Sequence, residues 1–387
     1  MSKKPSKPVL ACVMGDMNMV RALGMGGIGC AVVTQPGDPV LHSRYTTQAM
    51  FWEDFENGGE PLIDMLMRFA ATQPEPPVLY YQQDAQLLMV SRQRERLSRA
   101  FRFVVPEATL VEDLVDKARF QILAERLDLP VPRTRRIDLA TGTPPASPPD
   151  LDLRFPIVIK PLTRFIAWVN VGGEGKAVEV QDREALFRIW PHLVAGRMDL
   201  LAQEMVPGPE TKIESYHCYV DPHGTVIGEY SGRKIRTYPR DLGHSTALTI
   251  TDAPDVIELG RELVAKLNFS GVAKFDFKRA PDGSLHLLEV NPRYNLWHYV
   301  GAVAGVNLPA LVHGDLTGLP RPDPVKARAG ASWCNITRDR QAAREYGMPM
   351  SRWWPWMIRC EAKSIAWDDP MPFLRNTLAR VLPARAR

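Results

Sequence analysis

One pair of segments limits the fold of this chain more than any other, because its side chains alternate between polar and apolar. Residues 271–278 and 287–293 are predicted to be the two strands of a β-hairpin, and Asp282-Gly283 between them is typical of a two-residue turn. Such a hairpin has one face that packs on a core and one face that carries charge. The apolar face is predicted to comprise four side chains, Phe275, Phe277, Leu288 and Val290.

The polar face of this hairpin gathers hard oxygen ligands. A two-residue turn places Asp276 opposite Glu289 and Lys274 opposite Asn291. Carboxylate and amide oxygens suit Mg²⁺, which often bridges to substrate phosphates. A half-buried antiparallel sheet also commonly has a solvated charged face. The hairpin alone therefore leaves two interpretations open, a metal site and an ordinary solvated surface.

Composition restricts the class of protein. With 387 residues the chain is long enough for two or three subdomains. The net charge of +4 is too small to indicate a nucleic-acid partner, and small acidic substrates are compatible with it. The five cysteines are scattered without a C-x-x-C pair, which indicates reduced thiols in a cytoplasmic protein. We expect neither a signal peptide nor a transmembrane helix.

The first part of the chain alternates between strands and helices. Strands are predicted over residues 9–14, 28–33 and 77–81 and a helix over 18–23, an order typical of a Rossmann-like α/β domain. The glycines of residues 24–29 follow the helix, so they predict a helix-to-strand turn and not a dinucleotide site. Further helices are expected over 91–101 and 115–127, the second with Ala118, Ile122 and Leu123 on its apolar side.

Two lysines follow a proline-rich segment, residues 141–150, which we predict to be a surface loop leading into the next subdomain. A strand over 155–161 presents Lys160, whose ammonium can meet a phosphate, although a lysine at a strand end is often simply exposed. A glycine-rich turn over 171–178 carries Lys176, and its glycines let backbone N–H groups approach phosphate oxygens.

Residues 200–210 combine a short strand, an acidic hinge and a second acidic position. An adenine ring needs backbone donors and acceptors in an extended segment, and a ribose needs a carboxylate for its hydroxyls. Both are available here. The chain therefore holds, in order, a strand lysine, a glycine loop, an acidic hinge and the polar hairpin.

In this ordered set the chain resembles the ATP-grasp superfamily over residues 106–311. The segments that carry the resemblance are 158–160, 172–176, 203–208, 271–276 and 288–293. Each is unspecific by itself, whereas the ordered set is specific. The resemblance implies a mixed α/β and α+β chain, in which a Rossmann-like N-terminal domain precedes a two-subdomain ATP-grasp fold. Residues 101–134 and 232–236 are most similar to the branch of D-aspartate ligases and carbamoyl-phosphate-synthase-like enzymes.

The same resemblance implies roles for individual residues. ATP is expected to contact Lys160, Lys176, Gly172, Gly173, Gly175, Gln203, Glu204, Met205, Val206 and Glu210. One or two Mg²⁺ ions, or Mn²⁺, are expected on Asp276, Glu289 and Asn291. Lys274 lies where D-alanine:D-alanine ligases place an arginine near the transferred phosphate.

Enzymes of this branch phosphorylate a carboxylate with ATP, and an amine then displaces the phosphate. Because phosphoryl transfer brings two anions together, catalysis depends on positioned cations and metal ions. We predict catalytic roles for Arg293, Lys234 and Lys274. Substrate-binding roles are predicted for Arg233, Arg236, His244 and His298, and the two histidines are equally compatible with structural positions.

These interpretations define a working hypothesis. The domain limits are predicted as 1–114, 115–330 (a lid subdomain over 155–206 and a metal-binding subdomain over 207–330) and 331–387. The tryptophan-rich C-terminal extension is expected to pack over the core rather than bind a membrane. The hypothesis is an ATP-dependent ligase for a small carboxylate and an amine, with a homodimer left open. The alternatives are an ATP-grasp kinase and an inactive nucleotide-binding regulatory protein.

Overall fold

A computed structural model describes residues 9–55, 57–162, 177–240 and 243–381 of the chain, with side chains described to residue 377. The described strands form three sheets, which follow one another along the sequence. No helix in these ranges is long and apolar enough to cross a membrane.

The first sheet is parallel and confirms the Rossmann-like prediction. Its strands lie in the order β3-β2-β1-β4, with β1 at Ala11–Met14, β2 at Cys30–Thr34, β3 at Thr46–Phe51 and β4 at Val78–Tyr81. Helix α1, Met17–Met25, begins after Asp16, whose carboxylate accepts the backbone N–H groups of Asn18 and Met19 at 2.9 and 3.2 Å. β3 was not predicted because it is a largely exposed edge strand without an apolar run.

The helices around this sheet depart from their predicted limits. They are α2 Gly59–Ala71, α3 Asp84–Arg92, α4 Arg94–Leu97, α5 Ala108–Val115 and α6 Lys117–Arg126. The prediction of one helix over 91–101 is wrong, because α3 begins earlier and the helical conformation is interrupted at Gln93, before α4. In α6, Leu123 is buried as predicted, whereas Ile122 is 64% exposed, so its predicted core position is wrong.

The second sheet is antiparallel, with the order β5-β8-β6-β7. Its strands are β5 Thr134–Ile137, β6 Ile157–Pro161, β7 Val178–Val180 and β8 Leu200–Glu204, and helix α7, Arg183–Ala195, packs on it. The proline-rich segment 141–150 is an irregular connection as predicted. However, it joins β5 to β6 within one sheet, so the prediction that it leads into a new subdomain is wrong.

The third sheet has the order β13-β12-β9-β10-β11-β14-β15. Its strands are β9 Ile213–Val220, β10 Val226–Tyr238, β11 His244–Thr251, β12 Gly271–Arg279, β13 Leu285–Asn291, β14 Ser332–Cys334 and β15 Ala362–Lys363. The accompanying helices are α8 Pro254–Lys266, α9 Trp297–Val303, α10 Leu308–Thr317, α11 Ile336–Glu345, α12 Met350–Arg359 and α13 Met371–Val381. Because β14 pairs with β11, the C-terminal extension completes this sheet.

Packing between the first and third sheets positions the site described below. Val13 of β1 shares a hydrophobic core with Tyr219 and Leu248 of the third sheet. The opposite face of the third sheet packs on α8 through Val256 and Leu263. The two sheets therefore form one continuous packed body, with the polar face of the hairpin directed toward the first sheet.

The hairpin formed by β12 and β13 has the predicted pairs, Asp276 with Glu289 and Lys274 with Asn291. Its turn is longer than predicted, since the N–H of Ala280 donates to the carbonyl oxygen of Ser284 at 2.9 Å.

A β-bulge compensates for the longer turn. Phe277 pairs with Leu287, so Leu288 is the extra residue on β13. Leu287 is fully buried in the core, whereas Leu288 lines a cavity beside Glu289. The prediction of Leu288 on the core face is therefore wrong, and Leu287 takes that place.

Candidate active site

A cavity of about 800 Å³ lies between the polar face of the hairpin and the carboxyl ends of the parallel strands. Polar side chains of the third sheet and the segment after it form one wall: Lys234, His244, Ser245, Lys274, Asp276, Glu289, Asn291, Arg293 and Asn295. The first sheet supplies the other: Asp16, Thr34, Gln35, Asp38, Glu53, Asp54, Gln82, Gln83 and Gln86. The volume of this cavity is in the range of small-molecule sites.

Two opposed carboxylates, Asp276 and Glu289, lie at the base of this cavity. Lys274 Nζ contacts Asp276 Oδ2 at 2.5 Å, and Asn291 Nδ2 donates to Glu289 Oε1 at 3.1 Å. Burial raises the pKa of Asp276 above its usual value. Glu289 is exposed to the cavity, and the positive charge of Lys274 with the hydrogen bond from Asn291 holds the pKa of Glu289 below its usual range.

The donor set suits a divalent cation. Asp276 is 4% exposed, and its Oδ1 has no hydrogen-bond partner among the described residues, a costly state for a buried carboxylate oxygen. Asp276, Glu289 and Asn291 present oxygens of the kind that Mg²⁺ prefers. The described ranges contain no cluster of three or more His, Cys, Asp or Glu arranged for a metal. Water and phosphate oxygens would have to complete the coordination, as is usual for Mg²⁺.

Arg293 connects the hairpin to the first domain. Its Nε donates to Asp84 Oδ1 at 2.5 Å, Nη1 to the carbonyl oxygen of Gln82 at 3.0 Å, and Nη2 to Asn291 Oδ1 at 3.2 Å. An arginine has five N–H donors, so two remain for a ligand in the cavity. Arg293 therefore orients Asn291 and presents a fixed positive charge to the cavity.

A smaller cavity of about 140 Å³ lies between the second sheet and the hairpin. Lys160 and Gln203 line it on one side, and Glu289 and Asn291 line it on the other. Lys160 Nζ donates to Gln203 Oε1 at 2.9 Å. Burial, together with repulsion from Lys117, outweighs the attraction of Glu289 and lowers the pKa of Lys160 to about 8.

The predicted adenine hinge lies at the end of β8. Glu204 is buried, and its carboxylate accepts the backbone N–H, Nε and Nη2 of Arg154 at 3.0, 3.1 and 3.0 Å. The N–H of Met205 donates to the carbonyl oxygen of Pro156 at 3.0 Å, and Val206 is buried. Thus Glu204 anchors the hinge through Arg154.

The structure says less about the other predicted nucleotide contacts. Glu210 begins a short 3₁₀-helix, Glu210–Lys212. Its carboxylate stays a predicted ribose contact. Four predicted contacts lie outside the described residues: Gly172, Gly173, Gly175 and Lys176.

Two predicted substrate-binding arginines face away from the large cavity. Arg236 is 5% exposed, and its Nε and Nη2 donate to Asp339 at 2.8 and 2.7 Å. Its guanidinium also lies 4.2 Å from the ring centroid of Trp356. Arg233 is exposed and lines neither cavity, because its neighbour Lys234 takes the inward position on the strand. The structure therefore places Arg236 away from the cavity, and the substrate-binding role of Arg233 stays a prediction.

The two predicted substrate-binding histidines lie in different places. His244 lines the large cavity. His298 is completely buried beside Tyr294, with ring centroids 5.5 Å apart, and lines neither cavity. Burial lowers the pKa of His298 to about 3, so its imidazole is neutral. The prediction that His298 contacts substrate is wrong.

The residues of the first sheet that line the cavity were missed in the sequence. They follow the carboxyl ends of β1, β2 and β4: Asp16, Gln35, Gln82 and Gln83. In open parallel sheets, ligands bind at that edge. The polar residues directly after three predicted strands were therefore a usable signal.

Comparisons with known proteins agree with this architecture. Residues 197–338 match a family described as ATP-grasp in the biosynthetic pathway with Ter operon. The D-aspartate ligase of Enterococcus faecium (strain Aus0004) is 25% identical over 242 residues, or 59% of this chain. The match spans about half, 55%, of that ligase.

Solved structures extend the likeness to most of the chain. The ADP complex of N5-carboxyaminoimidazole ribonucleotide synthetase has a TM-score of 0.59 at 14% identity, over 82% of this chain and 78% of that one. L-amino acid ligase from Bacillus licheniformis has a TM-score of 0.58 at 16% identity, over 81% and 75%. A biotin carboxylase from Campylobacter jejuni has 0.60 at 12%, over 84% and 74%. The chain has the ATP-grasp fold.

Proposed function

Because the chain has the ATP-grasp fold, we propose that the protein is an ATP-dependent carboxylate-amine ligase that works through an acyl phosphate. The supporting observation is the place where the two cavities meet. Glu289 and Asn291 line both the cavity beside Lys160 and the larger cavity beside Lys274 and Arg293. A phosphoryl group held at these residues has the cavity beside Lys160 on one side and the larger cavity on the other.

The charges around this junction suit phosphoryl transfer to a carboxylate. The acceptor and the phosphates are all anionic, so positive groups must hold them together. Lys234, Lys274 and Arg293 line the larger cavity and supply three such groups. Asp276, Glu289 and Asn291 would hold Mg²⁺, which when bound neutralises phosphate charge.

The nucleotide belongs in the smaller cleft in this proposal. Lys160 would place its ammonium against a phosphate, and Glu204 would fix the hinge segment that meets the adenine. The resemblance to proteins solved with ADP supports this assignment. The glycine-rich segment around Lys176 stays a prediction as the closing lid.

The second step joins the amine to the activated acid. The amine nitrogen bonds to the acyl carbon, the bond from that carbon to the phosphate oxygen breaks, and phosphate leaves while the nitrogen releases a proton to solvent. This sequence requires no nucleophile from the protein. Cys218 packs in the core, and all five cysteines are buried and free, which supports a reducing, cytoplasmic setting.

A screen of paired acids and amines tests the proposal. ADP and phosphate release should require both substrates, and mass spectrometry should find their condensation product. Glu289→Gln should abolish release while leaving the circular dichroism spectrum unchanged. Release of a phosphorylated acid over many turnovers without any amine would instead indicate a kinase, and ATP binding without turnover would indicate a regulatory protein.

A further inference from the structure

The two walls of the large cavity carry opposite charge. Four carboxylates from the first domain line one wall: Asp16, Asp38, Glu53 and Asp54. No lysine or arginine from the described part of that domain lines the cavity. The opposite wall holds three cations, Lys234, Lys274 and Arg293, and two carboxylates, Asp276 and Glu289, so its net charge is positive. A ligand that spans the cavity therefore meets negative charge at one end and positive charge at the other.

Three carboxylates of the acidic wall, Asp16, Asp38 and Glu53, are not neutralised by an ion pair within the described residues. Asp16 accepts from backbone N–H groups and from the side-chain amide of Asn18, and Asp38 accepts the N–H of Val40 at 2.8 Å. These donors are neutral, so the carboxylate charges remain. None of the described ion pairs involves Asp16, Asp38 or Glu53.

A buried group at the base of the cavity also points to a ligand. Asp276 is 4% exposed, lines the same space, and has an Oδ1 without a hydrogen-bond partner among the described residues. The reacting centre therefore lies at the end of the cavity nearest the hairpin. The acidic wall lies at the other end of the cavity, where it faces the part of the substrate that does not react.

We infer that the amine substrate is dibasic, a diamine or a basic amino acid; this inference rests on the proposed ligase function. The attacking nitrogen must be uncharged to use its lone pair, so it gives the acidic wall no positive charge to bind. Recognition by Asp38 and Glu53 requires a second nitrogen that stays protonated. The acyl phosphate, an anion, belongs against Lys274 and Arg293, which leaves that second nitrogen facing the carboxylates.

The charge pattern also selects against other amines. A neutral monoamine gains nothing from the acidic wall. An acidic amino acid would bring a carboxylate toward Asp38 and Glu53, where like charges repel. The preference for a dibasic amine should weaken as salt rises, because exposed charges are screened.

Hydroxylamine separates this inference from the proposed function. It is small and uncharged, and it traps an acyl phosphate as a hydroxamate without using the acidic wall. Hydroxamate formation first identifies the acid. With that acid, putrescine and lysine are then compared with butylamine and norleucine, which have similar length but lack the second amino group. We expect kcat/KM about ten- to twenty-fivefold higher for the dibasic compound of each pair, because two exposed charge contacts contribute up to about fivefold each.

Isosteric amides test the residues themselves. Asp38→Asn keeps an oxygen for the N–H of Val40, and Glu53 is exposed, so the double variant Asp38→Asn with Glu53→Gln should fold. We expect its preference for putrescine over butylamine to fall about tenfold. Glu258→Gln removes an exposed carboxylate from α8 and should keep the wild-type preference.

The outcomes are distinguishable. Hydroxamate formation combined with equal use of butylamine and putrescine would overturn the inference and leave the ligase proposal standing. An unchanged preference in the double variant would overturn the role of Asp38 and Glu53. Failure to form a hydroxamate with any acid in the screen would instead count against the ligase itself.

Discussion

Replacing Lys160 by methionine should stabilise the protein at neutral pH while it removes nucleotide binding. In the folded protein the pKa of Lys160 falls from 10.5 to about 8, because burial disfavours the ammonium. A fall of this size corresponds to about 3 kcal/mol against the charged form. Because the Lys160 side chain is partly exposed and solvent screens its charge, we reduce this cost to about 2 kcal/mol. Methionine has a similar length and no charge, and therefore avoids this cost.

The substitution also removes a hydrogen bond. Gln203 Oε1 accepts from Lys160 Nζ at 2.9 Å, and its loss should cost about 1 kcal/mol. The net expectation is a variant about 1 kcal/mol more stable than wild type at pH 7, measured as the free energy of unfolding in urea. ATP binding, measured by calorimetry, should weaken at least about thirtyfold, since a charge contact to phosphate worth about 2 kcal/mol is lost.

The pH dependence of the free energy of unfolding provides a second test of this prediction. Between about pH 8 and pH 10.5 the folded wild type has released the Lys160 proton, whereas the unfolded chain retains it. The unfolded state then binds more protons, so wild-type stability gains about 2 kcal/mol relative to the variant as pH rises. The two stability curves should cross, with wild type more stable at pH 10.5.

A matched control is Lys326→Met, which removes an exposed lysine paired with Asp252. It should change the free energy of unfolding by no more than about 1 kcal/mol and show no crossing. A Lys160→Met variant that is less stable than wild type at pH 7, or that binds ATP with wild-type affinity, would refute the account of Lys160 as a buried phosphate-binding cation.

Four further substitutions test other parts of the structure. Glu289→Gln should lower ADP formation at least about a hundredfold with an unchanged circular dichroism spectrum, and wild-type turnover would contradict its assignment to the metal. Asp339→Ala should cost about 3–5 kcal/mol in urea, because it leaves the Arg236 guanidinium buried without a partner; a cost below 1 kcal/mol would show that the pair is not buried. Leu287→Ala should cost about 2–4 kcal/mol and Leu288→Ala under about 1, and equal costs would argue against the β-bulge.

Much of the chemistry-bearing hairpin could be predicted, because strand alternation and register are local. The pairing of Asp276 with Glu289 followed from a turn position and a period of two. The bulge at Leu288 did not, because a three-residue turn and a compensating insertion leave the same pairing at Asp276. Alternation alone cannot distinguish the two arrangements.

Residues whose roles depend on distant partners were the least predictable. Arg236 belongs to a basic segment that resembles a substrate site, but its partner Asp339 lies 103 residues away. His298 follows the predicted metal strand closely in the sequence, yet it faces inward on α9. The acidic wall is assembled from separate loops at one sheet edge, and of its four carboxylates only Asp16 closely follows a predicted strand, so the sequence did not reveal Asp38, Glu53 and Asp54.

The central claim is that the protein activates a carboxylate by phosphorylation, and oxygen transfer tests it most directly. With the acid found in the hydroxamate screen labelled with ¹⁸O in its carboxylate, the amine is added and the released phosphate is analysed by mass spectrometry. The account predicts phosphate that carries one ¹⁸O atom from the acid for each amide formed. Amide formation with unlabelled phosphate, or with the label in AMP, would contradict it.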